Sequence, residues 1–381
     1  MAKRRAHGEG TIFQLPNGRW QADISLGYKP DGKRNRKSLY GKTQKEVRQK
    51  LDAVKQQLSQ GTFSSSKLTV SDYLEQWVKE KARQVKPRTE ELYREQARRY
   101  IVPHIGGVQL TKLKPVQVQA MVSAVADDVS AATANKARKL LYGALKQAVR
   151  WQLISRNVCE AVDPLKEVSR AMLLWTTGEA VQFLDSVRVH RLYGAFHLFM
   201  ATGLRRGEVL GLRWSDLRGD KLHIQRSLTV VGGKPTWTTP KTEKGVRFVV
   251  LSPDALEALE HHRKQQDAER ALAGEAWAET GSIFTSEDGR PIPPGTFHKV
   301  WLRLQKSAGV PQVRLHDLRH LHVSLLVKQG MDPRTIADRV GHTDPAFTLR
   351  RYSHMFEEQR QAAAINLSEL LQPKRVQNVA N

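Results

Sequence analysis

Residues Arg314 to Phe356 constrain the fold of this chain more than any other stretch. They read R-L-H-D-L-R-H-L-H, then V-G-H-T-D-P, then L-R-R-Y-S-H-M-F. His316 and Arg319 lie one helical turn apart, and residues at that spacing share a helix face. His342 follows a helix-ending glycine, Gly341. Tyr352 sits among Arg350, Arg351 and His354. Cations without a nearby carboxylate partner, converging near a tyrosine, suggest an anion held beside a hydroxyl. On that reading, distant segments must fold into one positively charged pocket suited to attack on a phosphate. Singly, each feature is ordinary: a His-x-x-Arg is usually a solvated face, and a tyrosine is usually a half-buried aromatic.

Composition narrows the ligand. There are 62 Lys and Arg against 38 Asp and Glu, a formal net charge of +24. Such an excess points to a polyanion, either nucleic acid or an acidic membrane surface. No apolar run approaches the roughly 18 residues of a membrane span. The basic N-terminus lacks the apolar core of a signal peptide. Cys159 is the single cysteine, so an internal disulfide and a Cys/His metal cluster are both excluded. A reducing cytoplasm is the expected setting. No Walker-type phosphate loop is present, so ATP use has no support.

The 381 residues are too many for one ordinary domain, and two or three are expected. Residues 1–60 read as a small basic module. Pro16-Asn17-Gly18 and Asp31-Gly32 are turn signals between three short strands, over 10–15, 19–26 and 34–40. Thr43 and Glu46 have capping-box spacing for a helix to about Ser59. The module's charge is concentrated on the expected sheet, in Arg19, Lys33, Arg34, Arg36 and Lys37. Residues 61–67, G-T-F-S-S-S-K, form a linker. Residues 68–162 read as a bundle of helices, one capped by Ser71 and one opened by Pro87. Leu74, Trp77, Val78, Leu140, Leu141, Leu145, Val149 and Trp151 are its expected core. Residues 163–172 are a connector, 173–371 a third domain and 372–381 a tail.

In that third domain Thr176 and Glu179 again have capping-box spacing. An apolar helix over about 192–201 ends at Thr202-Gly203, and Arg205 emerges at the break. Residues 221–227 and 245–251 alternate like strands, with Lys241 where a loop meets a strand. Helices are expected over 253–271, 297–307 and 316–329, from Asp332-Pro333 to Gly341, and from Asp344-Pro345 to Tyr352. An apolar stripe over 358–371 packs in cis or on a neighbouring copy.

The second stretch, A-T-G-L-R-R-G-E-V-L-G-L-R-W-S-D-L over 201–217, makes the first one specific. Together they strongly resemble the tyrosine recombinase (phage integrase) family. That family has an Arg after T-G-L, a Lys on a hairpin, H-x-x-R, G-H and a C-terminal Tyr. Arg205, Lys241, His316, Arg319, His342 and Tyr352 fill those positions in order. The resemblance implies a three-domain α+β protein: an N-terminal arm-binding module of three strands and a helix, a helical core-binding domain, and a mainly α catalytic domain with a small antiparallel sheet. It also implies cleavage of DNA by Tyr352 through a covalent 3′-phosphotyrosine, with no metal, cofactor or ATP.

In that scheme Arg205 and Arg319 bind the non-bridging oxygens, which suits a planar fork that stays charged. Lys241 protonates the leaving 5′ oxygen, with Lys244 a nearby competitor. His316 accepts or relays the tyrosine proton, and His342 hydrogen-bonds the phosphate. Glu208 orients Arg205 or a histidine, and His320 supports the site. Lys86, Arg88, Lys136, Arg138 and Lys139 are expected to contact phosphates in the core-binding domain, positioning the duplex without reading its sequence. The implied partners are double-stranded attachment sites and three further copies of the chain, with room for a host DNA-bending protein or an excisionase. A metal reading of His316, His320 and Asp317 lacks further ligands. A type IB topoisomerase and a non-enzymatic DNA-binding regulator are the competing readings.

Overall fold

The computed structural model describes residues 10–28, 34–59, 68–167, 173–240 and 245–341. The chain is a multidomain α+β protein that divides into two compact units, residues 1–169 and 170–381. In the first unit β1 (Thr11–Gln14), β2 (Trp20–Tyr28) and β3 (Arg34–Gly41) form an antiparallel sheet in chain order. The first turn closes as its sequence requires. Gly18 adopts φ 81° and its N–H donates to the Leu15 carbonyl at 2.9 Å. α1 (Gln44–Ser59) covers one sheet face, setting Val47, Leu51 and Val54 against Ala22 and Ile24.

The helical part comprises α2 (Val70–Ala82), α3 (Pro87–Gln96), a π-turn over Ala97–Ile101, α4 (Val102–Ile105), α5 (Pro115–Asp128) and α6 (Ala131–Arg150). The cap of α2 is Thr69 and not the expected Ser71. Thr69 accepts from the Asp72 N–H while the Asp72 carboxylate accepts from the Thr69 N–H, both at 3.2 Å. Asp72 three residues on decides between two residues that can each cap. The Tyr73 hydroxyl donates to the Ala144 carbonyl at 2.6 Å, tying α2 to α6 in the core. Trp151, expected in that core, is 43% exposed. It lies just past the end of α6, with its ring edge-on to Tyr73.

The second unit begins with α7 (Thr177–Ser186), capped by the expected Thr176/Glu179 pair. α8 (Tyr193–Thr202) is buried on most faces and stops at Gly203. α9 (Arg206–Leu210) follows, then β4 (Leu217–Arg218), β5 (Lys221–Ile224), β6 (Ser227–Val231), β7 (Lys234–Thr238) and β8 (Arg247–Val250). β4, β5 and β8 form one antiparallel sheet in that order. β6 and β7 form a separate hairpin that sequence inspection passed over. Pro235 argues against a strand, yet it can sit in a two-stranded ribbon. The signal was Gly232-Gly233, both in the left-handed region that a two-residue turn needs. α10 (Pro253–Ala273), α11 (Pro294–Ser307), α12 (Asp317–Lys328) and α13 (Pro333–Val340) complete the unit. The expected helix from Asp344 and the stripe over 358–371 lie outside the described residues.

An aromatic box holds this unit together. Phe183, Phe196 and Trp301 pack with ring centroids 5.0–5.6 Å apart, and Trp175 and Phe297 extend the cluster. Its polar edges point at one segment. The Trp301 indole donates to the Val313 carbonyl at 3.0 Å and the Trp175 indole to the Pro311 carbonyl at 2.7 Å. Gln305 accepts from the Val313 N–H at 2.7 Å. The segment before His316 is therefore pinned to the core. Trp301→Ala is expected to lower the unfolding free energy of this unit by about 3–5 kcal/mol, as measured by denaturant titration. An unchanged midpoint would show that the box does not carry the unit.

Candidate active site

The site is built at the break after α8. Gly203 caps the helix at φ 62°, where a side chain would be strained. A Cβ there would also come within 2.7 Å of the His322 ring. The free Gly203 carbonyl accepts from Arg319 Nη1 at 2.8 Å. This bond ties α12 to the point where the chain turns outward, two residues before Arg205. Arg205 is the cap residue of α9. Its Nη1 meets Glu208 Oε1 at 2.8 Å, its backbone N–H donates to Glu208 Oε2 at 3.0 Å, and its Nη2 donates to the Gly341 carbonyl at 3.0 Å.

Glu208, the carboxylate expected to orient Arg205 or a histidine, lies against Arg205. Glu208 is 3% exposed and pairs with both Arg205 and Arg247. Burial alone would raise its pKa. The charge and hydrogen bond of Arg247, then the Arg205 backbone N–H and charge, outweigh burial and bring it below the ordinary value. The Arg205 side chain remains 43% exposed, so pairing directs it without enclosing it. Arg247 is a residue that sequence inspection missed. Only its place two residues after Gly245 in the P-K-T-E-K-G-V-R run hinted at it.

His316 is the cap residue of α12 and Arg319 lies one turn on, 2% exposed. Desolvation of the His316 ring, then the charges of Arg319 and Arg205, push its pKa below the ordinary histidine value, against Asp317. The residue still reaches solvent. Three of the six residues in question, Arg205, His316 and Arg319, thus share one electrostatic neighbourhood. Lys241, His342 and Tyr352 lie outside the described residues. His320 is buried with its ring edge-on to His316 at 5.1 Å. His322 is buried too, its Nδ1 facing the Met200 carbonyl at 2.9 Å and its Nε2 facing Arg339 Nε at 3.3 Å. Among the described residues, no group of three or more His, Cys, Asp or Glu could hold a metal ion.

The basic residues expected to meet DNA fall into different environments. Arg36 is exposed on the open face of the N-terminal sheet, and Arg19 is exposed at its turn. Lys37 alternates onto the side where Leu39 packs toward α1. Lys33 and the Arg34 side chain lie outside the described residues. Lys86 and Arg88 are exposed, the latter paired with Glu91 at 3.0 Å. Lys136 and Lys139 line a groove of about 490 Å³ with Trp77, Tyr93 and Lys146, joined by Lys81 and Arg150, which sequence inspection did not single out. Arg138 instead donates from Nε to the Val162 carbonyl at 2.6 Å and from Nη2 to the Cys159 carbonyl at 3.4 Å. It braces the bundle.

Comparison with known proteins gives the family. Residues 176–359 match the model of the phage integrase family, and residues 69–125 match the phage integrase N-terminal SAM-like domain. The two matches together span more than half of the chain. The chain belongs to the phage integrase family. A tyrosine recombinase XerC-like protein of Caldanaerobacter subterraneus is 27% identical over 375 residues, covering 92% of this chain and 96% of the relative. An integrase of Streptomyces ambofaciens is 27% identical over 381 residues, covering 96% and 97%. In fold, the integrase resembles the Tn1549 transposon integrase solved with a circular intermediate DNA, with TM-score 0.67, 19% identity and coverage of 80% and 99%. It also resembles a lambda integrase tetramer bound to a Holliday junction, with TM-score 0.57, 20% identity and coverage of 88% and 96%. No helix among the described residues of the integrase is long and apolar enough to cross a membrane.

His322 gives the site a pH signature. Burial, then the Arg339 charge, lower its pKa from 6.5 to about 4, against the bond to Met200. The folded ring is neutral where the unfolded chain would take up a proton. Its contribution is therefore complete above pH 6.5 and is lost as pH falls through 4. The melting temperature should decline across that window, and His322→Asn should flatten the decline in thermal melts at stepped pH. An equal slope in both proteins would remove His322 from the account.

Proposed function

We infer that this integrase is a site-specific DNA recombinase that integrates or excises a phage or mobile element by cutting and rejoining DNA. The observation that carries the chemistry is the shared neighbourhood of Arg205, His316 and Arg319 at the break after α8. Tyr352 attacks the scissile phosphodiester, forming a 3′-phosphotyrosine as the bond to the 5′ oxygen breaks. A second 5′ hydroxyl then attacks that ester and releases the tyrosine. One ester replaces another at each step, so the bond is conserved without a nucleotide cofactor.

Arg205 and Arg319 hold the non-bridging oxygens, where negative charge concentrates in the pentacoordinate transition state. Their fixed bonds to Glu208 and Gly203 favour this role, because pre-oriented cations need little reorganisation as charge develops. His316, held neutral by its surroundings, can accept or relay the tyrosine proton. Lys241 supplies the proton to the leaving 5′ oxygen, and His342 hydrogen-bonds the phosphate. An ordinary tyrosine hydroxyl titrates near 10, and the surrounding cations lower that value for the attacking phenol.

The protein acts on double-stranded attachment sites in the cytoplasm of a bacterial host. It works as a homotetramer, a reading supported by the fold shared with the lambda integrase tetramer. A host DNA-bending protein or an excisionase is a further partner. The basic sheet of residues 1–60 binds arm sites. The groove lined by Lys136 and Lys139, in the domain over 68–162, tracks the core-site backbone.

Tyr352→Phe should abolish the covalent adduct on a nicked suicide duplex, with the linked peptide of the parent mapping to Tyr352. An adduct in the variant would remove the nucleophile from the scheme. Arg205→Ala or Arg319→Ala should lose about 3–4 kcal/mol of transition-state stabilisation, or roughly 100- to 1,000-fold in cleavage rate. Duplex affinity should fall steeply between about 50 and 200 mM salt as phosphate contacts are released, and a flat titration would exclude extensive phosphate contact. Relaxation of supercoils without exchange between duplexes would indicate a topoisomerase instead.

A further inference from the structure

Arg247 has no part in the chemistry above, yet it occupies the centre of the site's framework. Its side chain is 7% exposed and pairs with Glu208 Oε2 at 3.0 Å. Its Nε donates to the Arg339 carbonyl at 2.8 Å and its Nη1 to the Gly245 carbonyl at 3.1 Å. These acceptors belong to three separate segments: α9, the last turn of α13, and the backbone just before β8. Gly341 makes the arrangement possible. A Cβ there would lie 2.9 Å from Arg247 Nη1 and 3.1 Å from its Cζ, so glycine lets the guanidinium lie against the end of α13. The Gly341 carbonyl in turn accepts from Arg205. Arg205 and Arg247 therefore hold one helix end between them and share one carboxylate.

We propose that Arg247 is a positioning residue for strand cleavage, locking Glu208, the end of α13 and the start of β8 into one frame that aims Arg205. The proposal rests on the recombinase reading. In the sequence, Lys241 comes shortly before Gly245 and His342 directly after Gly341, so the brace joins the points from which those residues are launched. A guanidinium suits the task because its fixed planar fork donates in several directions at once, whereas a lysine ammonium is a point charge. Among the described residues, the charged groups facing Glu208 are Arg205 and Arg247. Arg339 lies in the field of Arg247, and His316 in that of Arg205. Removing Arg247 takes away the largest influence that keeps Glu208 ionised, so its carboxyl should protonate at higher pH and release Arg205.

The test uses the full-length protein, a nicked suicide duplex and single-turnover cleavage. Arg247→Ala should cut the cleavage rate about 100-fold, the scale of a small misplacement of reacting groups, while duplex affinity stays at the parental value. Arg247→Lys should remain closer to the alanine variant than to the parent. The part of the acid limb of the pH–rate profile set by Glu208 should move to higher pH in Arg247→Ala and be lost when Glu208→Gln is added, leaving the limb that His316 sets. The double variant should be no slower than the slower single one, because both act through Arg205. Parental cleavage by either Arg247 variant, multiplying single effects, or an unmoved acid limb would overturn the proposal. If Arg247→Ala does not fold, Arg247→Lys carries the decision: parental cleavage rejects the brace and impaired cleavage at parental duplex affinity supports it. Tyr352→Phe separates the two readings. An adduct in that variant overturns the recombinase scheme, whereas its loss beside an unaffected Arg247→Ala overturns the brace alone.

Discussion

A carboxylate removed from water is stable only when its charge and lone pairs are met, because isolated burial costs several kcal/mol. Glu208 is such a group, and the site follows from how it is satisfied. Two guanidiniums and a backbone N–H converge on it. One of them, Arg205, remains partly exposed, while the other, Arg247, is enclosed. The carboxylate thus orients one cation toward solvent by anchoring itself on another. Arg205, Arg247 and Glu208 leave one positive charge over, and Arg319 adds a second beside them.

The groups proposed for the chemistry sit at or near the ends of helices, and the buried core keeps those ends in place. α8 stops where Gly203 turns left-handed, and its last carbonyls accept from neighbours: Met200 faces His322, Ala201 meets Arg339 and Gly203 meets Arg319. Carbonyls left over at a helix end need such donors, so the same bonds that satisfy α8 also position α12 and α13. On the far side, the indoles of Trp175 and Trp301 pin the segment leading to His316. The corner that holds Arg205, His316 and Arg319 is therefore braced from two directions, which suits the proposed chemistry with its fixed charges.

Much of this was legible from local chemistry. The turn at Asn17-Gly18, the capping box at Thr176 and Glu179, the stop at Gly203 and the one at Gly341 are each set by residues within a few positions of one another. The two motif stretches also singled out Arg205, His316 and Arg319, and these three share one electrostatic neighbourhood in the fold. Errors arose where two local signals competed. Thr69 and Ser71 can both cap, and Pro235 obscured the Gly232-Gly233 hairpin. Helical spacing placed Trp151 in the core although its helix ends one residue earlier.

Local order along the chain, and hence the identity of the residues offered to the site, was determined by the sequence itself, since caps, turns and helix stops depend on side chains a few bonds away. What the sequence could not say is which of many arginines would be partnered, and by what. Glu208 was expected to orient Arg205 or a histidine without a choice between them, Arg138 read as a phosphate contact and Arg247 went unremarked. Their roles were decided by tertiary structure alone. Burial and long-range hydrogen bonds act between segments far apart in the chain, and no local pattern records which carbonyl or carboxylate will arrive.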